Sequence, residues 1–542
     1  MALIPVNNVG EMGIVKDINP WELPPNVWSE GNNVRAEHGA IQKSPGYLEV
    51  MASCPIDPYY ITNLEVAGAN YWIVGGLTKI YVHNGVLWTD ITRSSGGDYS
   101  ATAAENWTST VLGGILVMSN GYDVPQFWGL SAGVPSVSTA MADLTNWQDA
   151  AYFPFSVKAF RSFLIALNVT KSGTGYTNLV KWSTEAATQT LPSSWNEALA
   201  TVDAGEYSLE DSKGKILDGL PLGDAFMIYK EDSTYMMTYI GTPFIFAFRQ
   251  ISPNVGTLTK NCVAEFDGGH FVFGNGDMYI NDGQRLKSLL PHKMRDHVFN
   301  NISGDDYQKS FVVADYGNTE MWACYVSQSN VTNAQCDKAL VWNWSNGAFT
   351  ERDLPNLGFA GYGTEGNPLA PGSWGVATTN WNTDTLNWNQ SASTSFFNLA
   401  GKTLVMASPT NTKLFRNEAG NQEDTTDMNS YIQRTGLTMD EQGQPDQSMV
   451  KRISAVWPKM KVNPDSSSDT VNIYVGHQMS TEEAITWEGP YTFNPDTQSK
   501  VPVRVTGKYI GVKFESTTDT TWQLNGYSLD IKNAGNRGSV SR

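Results

Sequence analysis

The sequence predicts an all-β protein, with a β-propeller of about six blades, an extended N-terminal arm and a C-terminal β-sandwich. Three observations predict this fold. Short runs of alternating apolar and polar residues end in tight turns, this layout recurs along the chain, and the strands become fewer and longer after residue 426. The chain has 542 residues, of which 41% are hydrophobic, and is therefore long enough to bury several cores.

The clearest example of the layout spans residues 261–286, NCVAEFDGGHFVFGNGDMYINDGQRL. Asp267-Gly268 and Asn275-Gly276 are two-residue turn signals, because hairpin turns of this length need residues that tolerate positive φ. Between them, Phe271 and Phe273 alternate with other residues in the period of two that is typical of a strand. The stretch therefore predicts three or four short antiparallel strands.

The same layout recurs along the chain, most clearly at residues 65–85. A repeated module of about forty to fifty residues with four short strands is typical of a β-propeller. One such sheet cannot bury both of its faces, whereas several sheets around an axis can. The alternative is a set of unrelated β-sandwiches, which also show alternation and Asn-Gly turns. Looser copies occupy residues 107–128, 157–182, 226–248 and 311–349.

Residues 1–50 are rich in Pro, Asn and Gly and are predicted to form an extended arm. The segment WELPPNVW at 21–28 cannot be helical, because two prolines fix φ and remove hydrogen-bond donors. Its two tryptophans need a surface to pack on, either in the same chain or in a neighbouring subunit. The candidate assembly-interface residues are Trp21, Leu23, Pro24, Pro25 and Trp28.

The remaining chain divides into the propeller at 51–425 and the sandwich at 426–542. Within the propeller, residues 291–302 predict a helix, and residues 362–398 form a long polar insertion of a kind that is usually functional or flexible. The sandwich is predicted from cleanly alternating segments joined by polar loops. These segments are 471–475, 501–505, 509–514 and a strand pair around Asn525-Gly526.

The composition limits the classes of function. Lys and Arg number 36 against 54 Asp and Glu, and the resulting charge of −18 would repel DNA phosphates, although acidity often serves solubility alone. Cys54, Cys262, Cys324 and Cys336 show no Cys-x-x-Cys spacing, which favours a reducing compartment of synthesis. The N-terminus lacks a signal-peptide pattern and no run approaches the ~20 apolar residues of a membrane span, so we expect a soluble protein.

Motifs for catalysis are missing from the sequence. There is no phosphate-binding G-x-x-x-x-G-K-[ST] loop, no G-x-S-x-G nucleophile elbow and no sialidase Asp-box. His292 and His297 are five residues apart, a spacing that predicts ordinary surface histidines, and His270 reads as a partly buried strand residue. Carboxylate pairs such as Glu210-Asp211 and Glu231-Asp232 are expected to be solvated. We therefore predict no enzyme activity, no catalytic residue, no cofactor and no metal site.

The order of several short elements resembles short-tailed bacteriophage tail proteins, namely the tail nozzle or tail tubular B-type and packaged-DNA stabilisation proteins. No single element is highly specific, but their order is, and the similarity spans most of the first 350 residues. The C-terminal domain is similar only in general style. The elements are the Pro-rich 22–28, the N-x-R strand at 33–35, the Gly turn and K-x-P-G at 39–47, N-G-x-D-x-P-Q at 120–126, and the stretches 181–183, 216–220, 256–283 and 340–344.

The resemblance implies a structural virion protein whose subunits each carry a β-propeller. Members of this family form a ring, expected to be hexameric, below the adaptor on the portal. The ring forms the distal tail tube, retains the packaged genome and conducts DNA at ejection, and fibres or a needle often attach nearby. The implied location is the virion tail, assembled in the cytoplasm of the host bacterium.

Two hypotheses follow for such a ring. Carboxylates lining the lumen would let phosphates slide past without binding. The segment around Trp21 and Trp28 would pack between subunits or against the adaptor.

Two other functions remain open. The first is a carbohydrate-binding or carbohydrate-cleaving propeller, such as a phage receptor-binding protein, supported by the aromatic content and the insertion at 362–398. The second is an intracellular scaffold of the tryptophan–aspartate repeat type, against which the missing Gly-His and Trp-Asp repeats count.

Overall fold

The computed structural model describes most of the chain, in eight segments. Residues 365–401, which contain most of the predicted insertion at 362–398, lie outside the described residues, and so do residues 536–542. The described segments are 2–66, 69–131, 134–135, 137, 139–199, 201–364, 402–462 and 469–535.

The N-terminal segment is integrated into the rest of the molecule, so the prediction of an extended arm over residues 1–50 is wrong for most of its length. It forms five strands, four of which join the C-terminal sandwich while the fifth joins the propeller. Strand pairing satisfies the backbone groups that an isolated arm would leave to water. The strands are β1 Ala2–Asn7, β2 Glu30–Asn32, β3 Val34–Glu37, β4 Ala40–Lys43 and β5 Tyr47–Val50.

The first three propeller sheets are four-stranded antiparallel meanders that coincide with predicted repeats. Sheet one contains β6 Tyr60–Val66, β7 Ala69–Gly75, β8 Ile80–His83 and β9 Trp88–Asp90. Sheet two contains β10 Thr108–Leu112, β11 Ile115–Ser119, β12 Gln126–Trp128 and, after the small hairpin β13 Leu130–Ser131 and β14 Val134–Pro135, β15 Ala142–Asp143. Sheet three contains β16 Tyr152–Phe160, β17 Phe163–Lys171, β18 Thr174–Trp182 and β19 Gly205–Ser208.

The next three sheets have the same order and include the stretch at 261–286, which forms four strands as predicted. Sheet four contains β20 Ile216–Leu222, β21 Ala225–Lys230, β22 Thr234–Tyr239 and β23 Phe246–Ser252. Sheet five contains β24 Val263–Phe266, β25 Gly269–Phe273, β26 Met278–Asn281 and β27 Leu286–Ser288. Sheet six contains β28 Phe311–Asp315, β29 Glu320–Tyr325, β30 Cys336–Asn343 and β31 Phe349–Leu357.

A seventh sheet brings the blade number in the described residues to seven, where the sequence predicted about six. Its strands β32 Phe359–Thr364, β33 Lys402–Ser408 and β34 Lys413–Asn417 are completed by β5, with β35 Gln422–Glu423 and β36 Thr426–Asp427 attached. Asn417 pairs with Tyr47 and Leu414 with Val50. The repeat was missed because one strand comes from the N-terminal segment and residues 365–401 separate two others.

The seven sheets form a closed β-propeller. The first strand of each sheet contacts the first strand of the next, and β32 of the last sheet contacts β6 of the first. Between sheets one and two, the Tyr60 hydroxyl lies 2.8 Å from the Ser109 hydroxyl. Closure lets every blade bury both of its faces against its neighbours.

The predicted helix at 291–302 is present as α1, Arg295–Asn301. Met294 and Val298, which lie one turn apart, are both fully buried. Short 3-10 helices at Pro20–Glu22 and Tyr307–Lys309 complete the helical residues of the described chain.

The C-terminal region forms the predicted sandwich, but the N-terminal strands complete it. One sheet has the order β3-β4-β43-β38-β41 with β1 also on β43, and the other has the order β2-β37-β42-β39-β40. Their inner faces share one apolar core with propeller sheets five and six. The strands are β37 Ser430–Leu437, β38 Val450–Val462, β39 Val471–Gln478, β40 Thr486–Phe493, β41 Val501–Gly507, β42 Tyr509–Ser516 and β43 Trp522–Gly535.

The predicted strand pair around Asn525-Gly526 is instead one continuous strand, β43. The pairing register with β38 shifts there, because Lys459 pairs with Gly526 and Met460 with Leu524. Asn525 is thus the extra residue of a β-bulge, which Asn-Gly accommodates as readily as a turn.

Candidate assembly surface

Trp28 of the predicted assembly segment is buried in the core of its own chain. Its ring lies 6.3 Å from Phe514 and 6.1 Å from Tyr527, measured between ring centroids. Its Nε1–H donates to the Val9 carbonyl at 2.6 Å, which satisfies the one polar group of the indole. Leu23 is also buried, in a small cluster with Val15 and Val27.

Arg434 holds the Pro-rich segment against the sandwich. This fully buried side chain on β37 donates to the Pro20 carbonyl at 2.8 Å and to the Leu23 carbonyl at 2.7 Å. Burial lowers the pKa of Arg434 to about 10. The sequence offers no local signal for this contact, because the partners lie about 410 positions apart.

The five predicted interface residues therefore divide into two groups. Trp28 and Leu23 are core residues, so their assignment to an assembly interface is wrong. Pro24 and Pro25 are exposed and Trp21 is half-buried beside Tyr509, so these three stay a prediction. Deletion of residues 1–30 would remove β1 and the Trp28 core contacts, and loss of assembly in that variant would report on folding.

Buried ion pairs connect the sandwich to the propeller. Arg35 on β3 contacts Glu320 on β29 and Glu418 after β34, each at 2.6 Å. Burial opposes the charge of Arg35, but the two carboxylates outweigh it and raise the pKa of the guanidinium. Glu351 on β31 likewise accepts from Lys16 Nζ at 2.6 Å, and its other carboxylate oxygen lies 2.6 Å from His297 Nε2. These contacts fix the orientation of the sandwich on sheet six.

The propeller axis is closed by side chains. Lys260 and Asn261, just before β24, donate to the carbonyls of Asn106 and Trp107, just before β10. Sheets two and five are not neighbours in the ring, so these hydrogen bonds cross the axis. Asp218 on β20 lies next to them and accepts from the Asn261 N–H at 3.0 Å. A strand of nucleic acid cannot pass along an axis that is bridged at hydrogen-bond distance.

Burial of the axial lysine changes its protonation. Burial lowers the pKa of Lys260 to about 7, although Glu105 and Asp218 favour the charged form. The Nζ atom lies 4.6 Å from the centroid of the Phe155 ring, which adds a cation–π contact.

The N-G-x-D-x-P-Q element at 120–126 is a hydrogen-bonded turn between β11 and β12. Asn120 Oδ1 accepts from the Tyr122 and Asp123 N–H groups, each at 2.9 Å, and Gly121 has φ +90°. Asp123 accepts from Arg93 at 2.9 Å. The element therefore has a structural role in sheet two.

Two of the histidines considered as candidate ligands, His270 and His297, have defined partners. His270 is fully buried as a satisfied strand residue, with Tyr229 Oη and the Pro221 carbonyl each 2.8 Å from its ring nitrogens. Burial lowers the pKa of His270 to about 4, so its ring is neutral at pH 7. The prediction of an ordinary surface histidine is wrong for His297 on α1, which is half-buried with Nε2 2.6 Å from Glu351 Oε1 of sheet six.

The remaining metal-ligating and nucleophilic side chains of the described residues form no recognisable site. No three His, Cys, Asp or Glu side chains in this part of the chain are placed to hold one metal ion. All four cysteines are unpaired and buried, and burial raises the pKa of Cys54 to about 11. No helix in the described segments is both long and apolar enough to span a bilayer.

An exposed aromatic surface covers the outer strands of sheets three and four. Tyr207 on β19 stacks on Phe248 on β23, with ring centroids 4.8 Å apart and an interplanar angle of 10°. Tyr239 carries Arg161 over its ring at 5.1 Å. Phe244, in the turn before β23, is 73% exposed. Aromatic faces in this arrangement offer a flat apolar contact surface.

The fold and these sites define a propeller protein with seven blades in the described residues and a fused sandwich. No protein-family model and no curated protein sequence matches the chain. Among solved structures, the chain is similar to the WD40 domain of Toxoplasma gondii coronin, at 8% identity and a TM-score of 0.36, over 72% of this chain and 86% of that one.

It is also similar to the β-propeller domain of Myceliophteria thermophila Cps50 (Swd1), at 10% identity and a TM-score of 0.35, over 59% of this chain and 92% of that one. A third similar structure is PorZ of Porphyromonas gingivalis, at 9% identity and a TM-score of 0.34, over 76% of this chain and 44% of that one.

Proposed function

We propose that the chain is the structural subunit of the distal tail tube of a short-tailed bacteriophage. Subunits form a ring, most simply a hexamer, below the portal and adaptor. The ring retains the packaged genome and conducts DNA at ejection without reading its sequence, and fibres or a needle attach nearby. The protein is a component of the virion tail, assembled in the host cytoplasm, and acts without catalysis.

The observation that carries the proposal is the ordered set of tail-protein elements in the first 350 residues, together with the structural role of two of these elements. Arg35 of the N-x-R strand joins the sandwich to the propeller, and Asp123 of N-G-x-D-x-P-Q anchors a turn. Residues that shape a scaffold are what a structural subunit needs.

The closed propeller axis supports a particular position for the DNA. Because Lys260 and Asn261 bridge the axis, the conduit in this proposal is the centre of the ring of subunits rather than the centre of any propeller. Carboxylates facing that lumen would let phosphates pass without binding.

Imaging of single particles tests the proposal, with the purified full-length protein alone and mixed with tail-less capsids. We expect a hollow ring that docks at the portal vertex. A monomer that ignores capsids overturns the proposal.

The aromatic surface favours a second candidate, a carbohydrate-binding or carbohydrate-cleaving propeller such as a receptor-binding protein. The stacked pair Tyr207 and Phe248 offers a flat face of the kind that stacks on sugar rings. Glycan arrays test this candidate, with Tyr207→Ala as the variant and Tyr176→Ala, another exposed tyrosine, as the matched control. Binding that is lost only in Tyr207→Ala favours the second candidate.

A further inference from the structure

The sandwich carries a basic surface within a strongly acidic chain. Residues 430–542 hold twelve Lys and Arg and twelve Asp and Glu, so residues 1–429 carry the entire formal charge of −18. The register of β41, β38 and β43 places Arg452, Arg504 and Lys532 on the outer side of their sheet, because Thr506, Arg452 and Lys532 are paired and side chains alternate along each strand. The β-bulge between Ile453 and Ala455 brings Lys459, which pairs with Gly526, and Lys461 to the same side. Lys500 directly precedes β41, and its Nζ lies near the ring of Trp457. This basic face consists of Arg452, Lys459, Lys461, Lys500, Arg504 and Lys532.

Among the described residues, the cations of the basic face have few partners. None of the six forms an ion pair with a carboxylate of the described residues. Lys459 Nζ donates to Asn7 Oδ1 at 2.8 Å, and Lys500 Nζ lies 5.1 Å from the Trp457 ring. Asp530 on β43 lies on the same side of the sheet, and Asp496 lines a cavity of about 660 Å³ together with Lys459 and Lys461.

Apolar groups accompany these cations. Leu3 on β1 is 52% exposed on the same outer side, because it pairs with Asp530. Pro502 on β41 is exposed there as well, next to Ala455. A mixture of apolar and cationic groups is suited to a protein partner, in which apolar contacts add to charge complementarity.

We propose that the basic face binds the acidic propeller of a second copy of this chain. The inference rests on the proposed ring, which it deepens by naming the surface that joins the subunits. A contact between two different surfaces of identical subunits is heterologous, and contacts of this type generate closed rings when the rotation closes. The propeller of the second copy supplies the opposite charge, because residues 51–429 hold 21 Lys and Arg against 36 Asp and Glu. DNA is the less favoured partner, since the chain as a whole repels phosphates.

Charge reversal in the full-length protein tests the proposal. The variant Lys459→Glu/Lys461→Glu/Arg504→Glu changes three exposed side chains of the basic face. The matched control Arg285→Glu/Lys287→Glu reverses exposed cations in sheet five. Mass photometry of each protein at 50, 150 and 500 mM NaCl gives the fraction in rings. A neutral version with Gln at the three positions repeats the measurement if the reversal variant misfolds.

We expect wild type and control to form rings at 50 mM NaCl. The triple variant should need a protein concentration at least about tenfold higher to reach the same fraction in rings, and 500 mM NaCl should lower that fraction for wild type. Wild-type-like rings in the triple variant overturn the inference and leave the tail proposal standing. A wild-type monomer at every salt concentration overturns both. A DNA duplex that binds wild type and is lost in the triple variant, without a change in assembly, assigns the face to DNA and also overturns the inference.

Discussion

Arg35 and Glu320 form a two-point ion pair between the sandwich and the propeller, with Nε 2.6 Å from Oε1 and Nη2 3.0 Å from Oε2. Both side chains are almost fully buried, and Glu418 closes the other side of the guanidinium. The forked geometry of the Arg side chain fits both carboxylates at once. The pair is therefore a determinant of how the two domains are oriented.

Replacement of Arg35 by Met should destabilise the protein strongly. The change leaves Glu320 buried without its cation, and loss of one partner of a buried pair costs about 3–5 kcal/mol. Urea unfolding followed by tryptophan fluorescence measures the effect, with Lys287→Met as the exposed control. Adding Glu320→Gln and Glu418→Gln to Arg35→Met should recover part of the loss. An unchanged unfolding midpoint in Arg35→Met would contradict a stabilising role for the pair.

Trp28→Ala should lower the free energy of unfolding of the isolated subunit by about 3–5 kcal/mol, because the cavity lies inside one chain. Pro24→Ala and Pro25→Ala change exposed residues and should stay within about 0.5 kcal/mol of wild type. Unfolding at a protein concentration where the subunit is monomeric makes the comparison. If the Trp28→Ala subunit is as stable as wild type but does not assemble, Trp28 contributes to a contact between subunits and the prediction is wrong.

The free energy of unfolding should fall as the pH drops from 6.5 to about 4, because His270 is buried in its neutral form. Burial lowers the pKa of His270 to about 4 from 6.5 in the unfolded chain. Within that window the unfolded chain binds a proton that the folded chain does not, which removes about 3 kcal/mol of stability. The unfolding midpoint is measured at pH 7.0 and 4.5 for wild type and for His270→Gln. Because both proteins contain the same carboxylates, the difference between their two pH-dependent changes reports on His270 alone. Parallel pH profiles of the two proteins would show that His270 does not contribute to the pH dependence of stability.

Lys260 should make stability rise with pH above neutrality. Burial lowers the pKa of Lys260 to about 7 from 10.5, so between these values only the unfolded chain binds the proton. The stability gained from pH 7 to 10.5 through this group is up to about 5 kcal/mol. Lys260→Met should flatten the profile in that window, with Lys287→Met as the control on an exposed lysine. Equal slopes for Lys260→Met and wild type would show that the axial lysine keeps its charge.

The sequence by itself determined the class of local structure. Alternation, turn dipeptides and helical spacing are local signals, and they correctly predicted the short strands of the stretch 261–286, the other five contiguous repeats and a helix within 291–302. They worked because each of those sheets is a meander, in which every strand pairs with its neighbour in sequence. The change of pattern near residue 426 also marked the sandwich.

Only the tertiary structure decided the pairings between distant segments. β5 completes the seventh blade by pairing with β34, and β1 pairs with β43, more than 500 residues away. These pairings satisfy the backbone groups at strand edges that would otherwise be exposed. The same long-range packing buried Trp28 and set Arg434 on the Leu23 carbonyl. Local pattern shows that a tryptophan beside prolines needs a packing surface, but the identity of that surface depends on residues whose proximity arises only on folding.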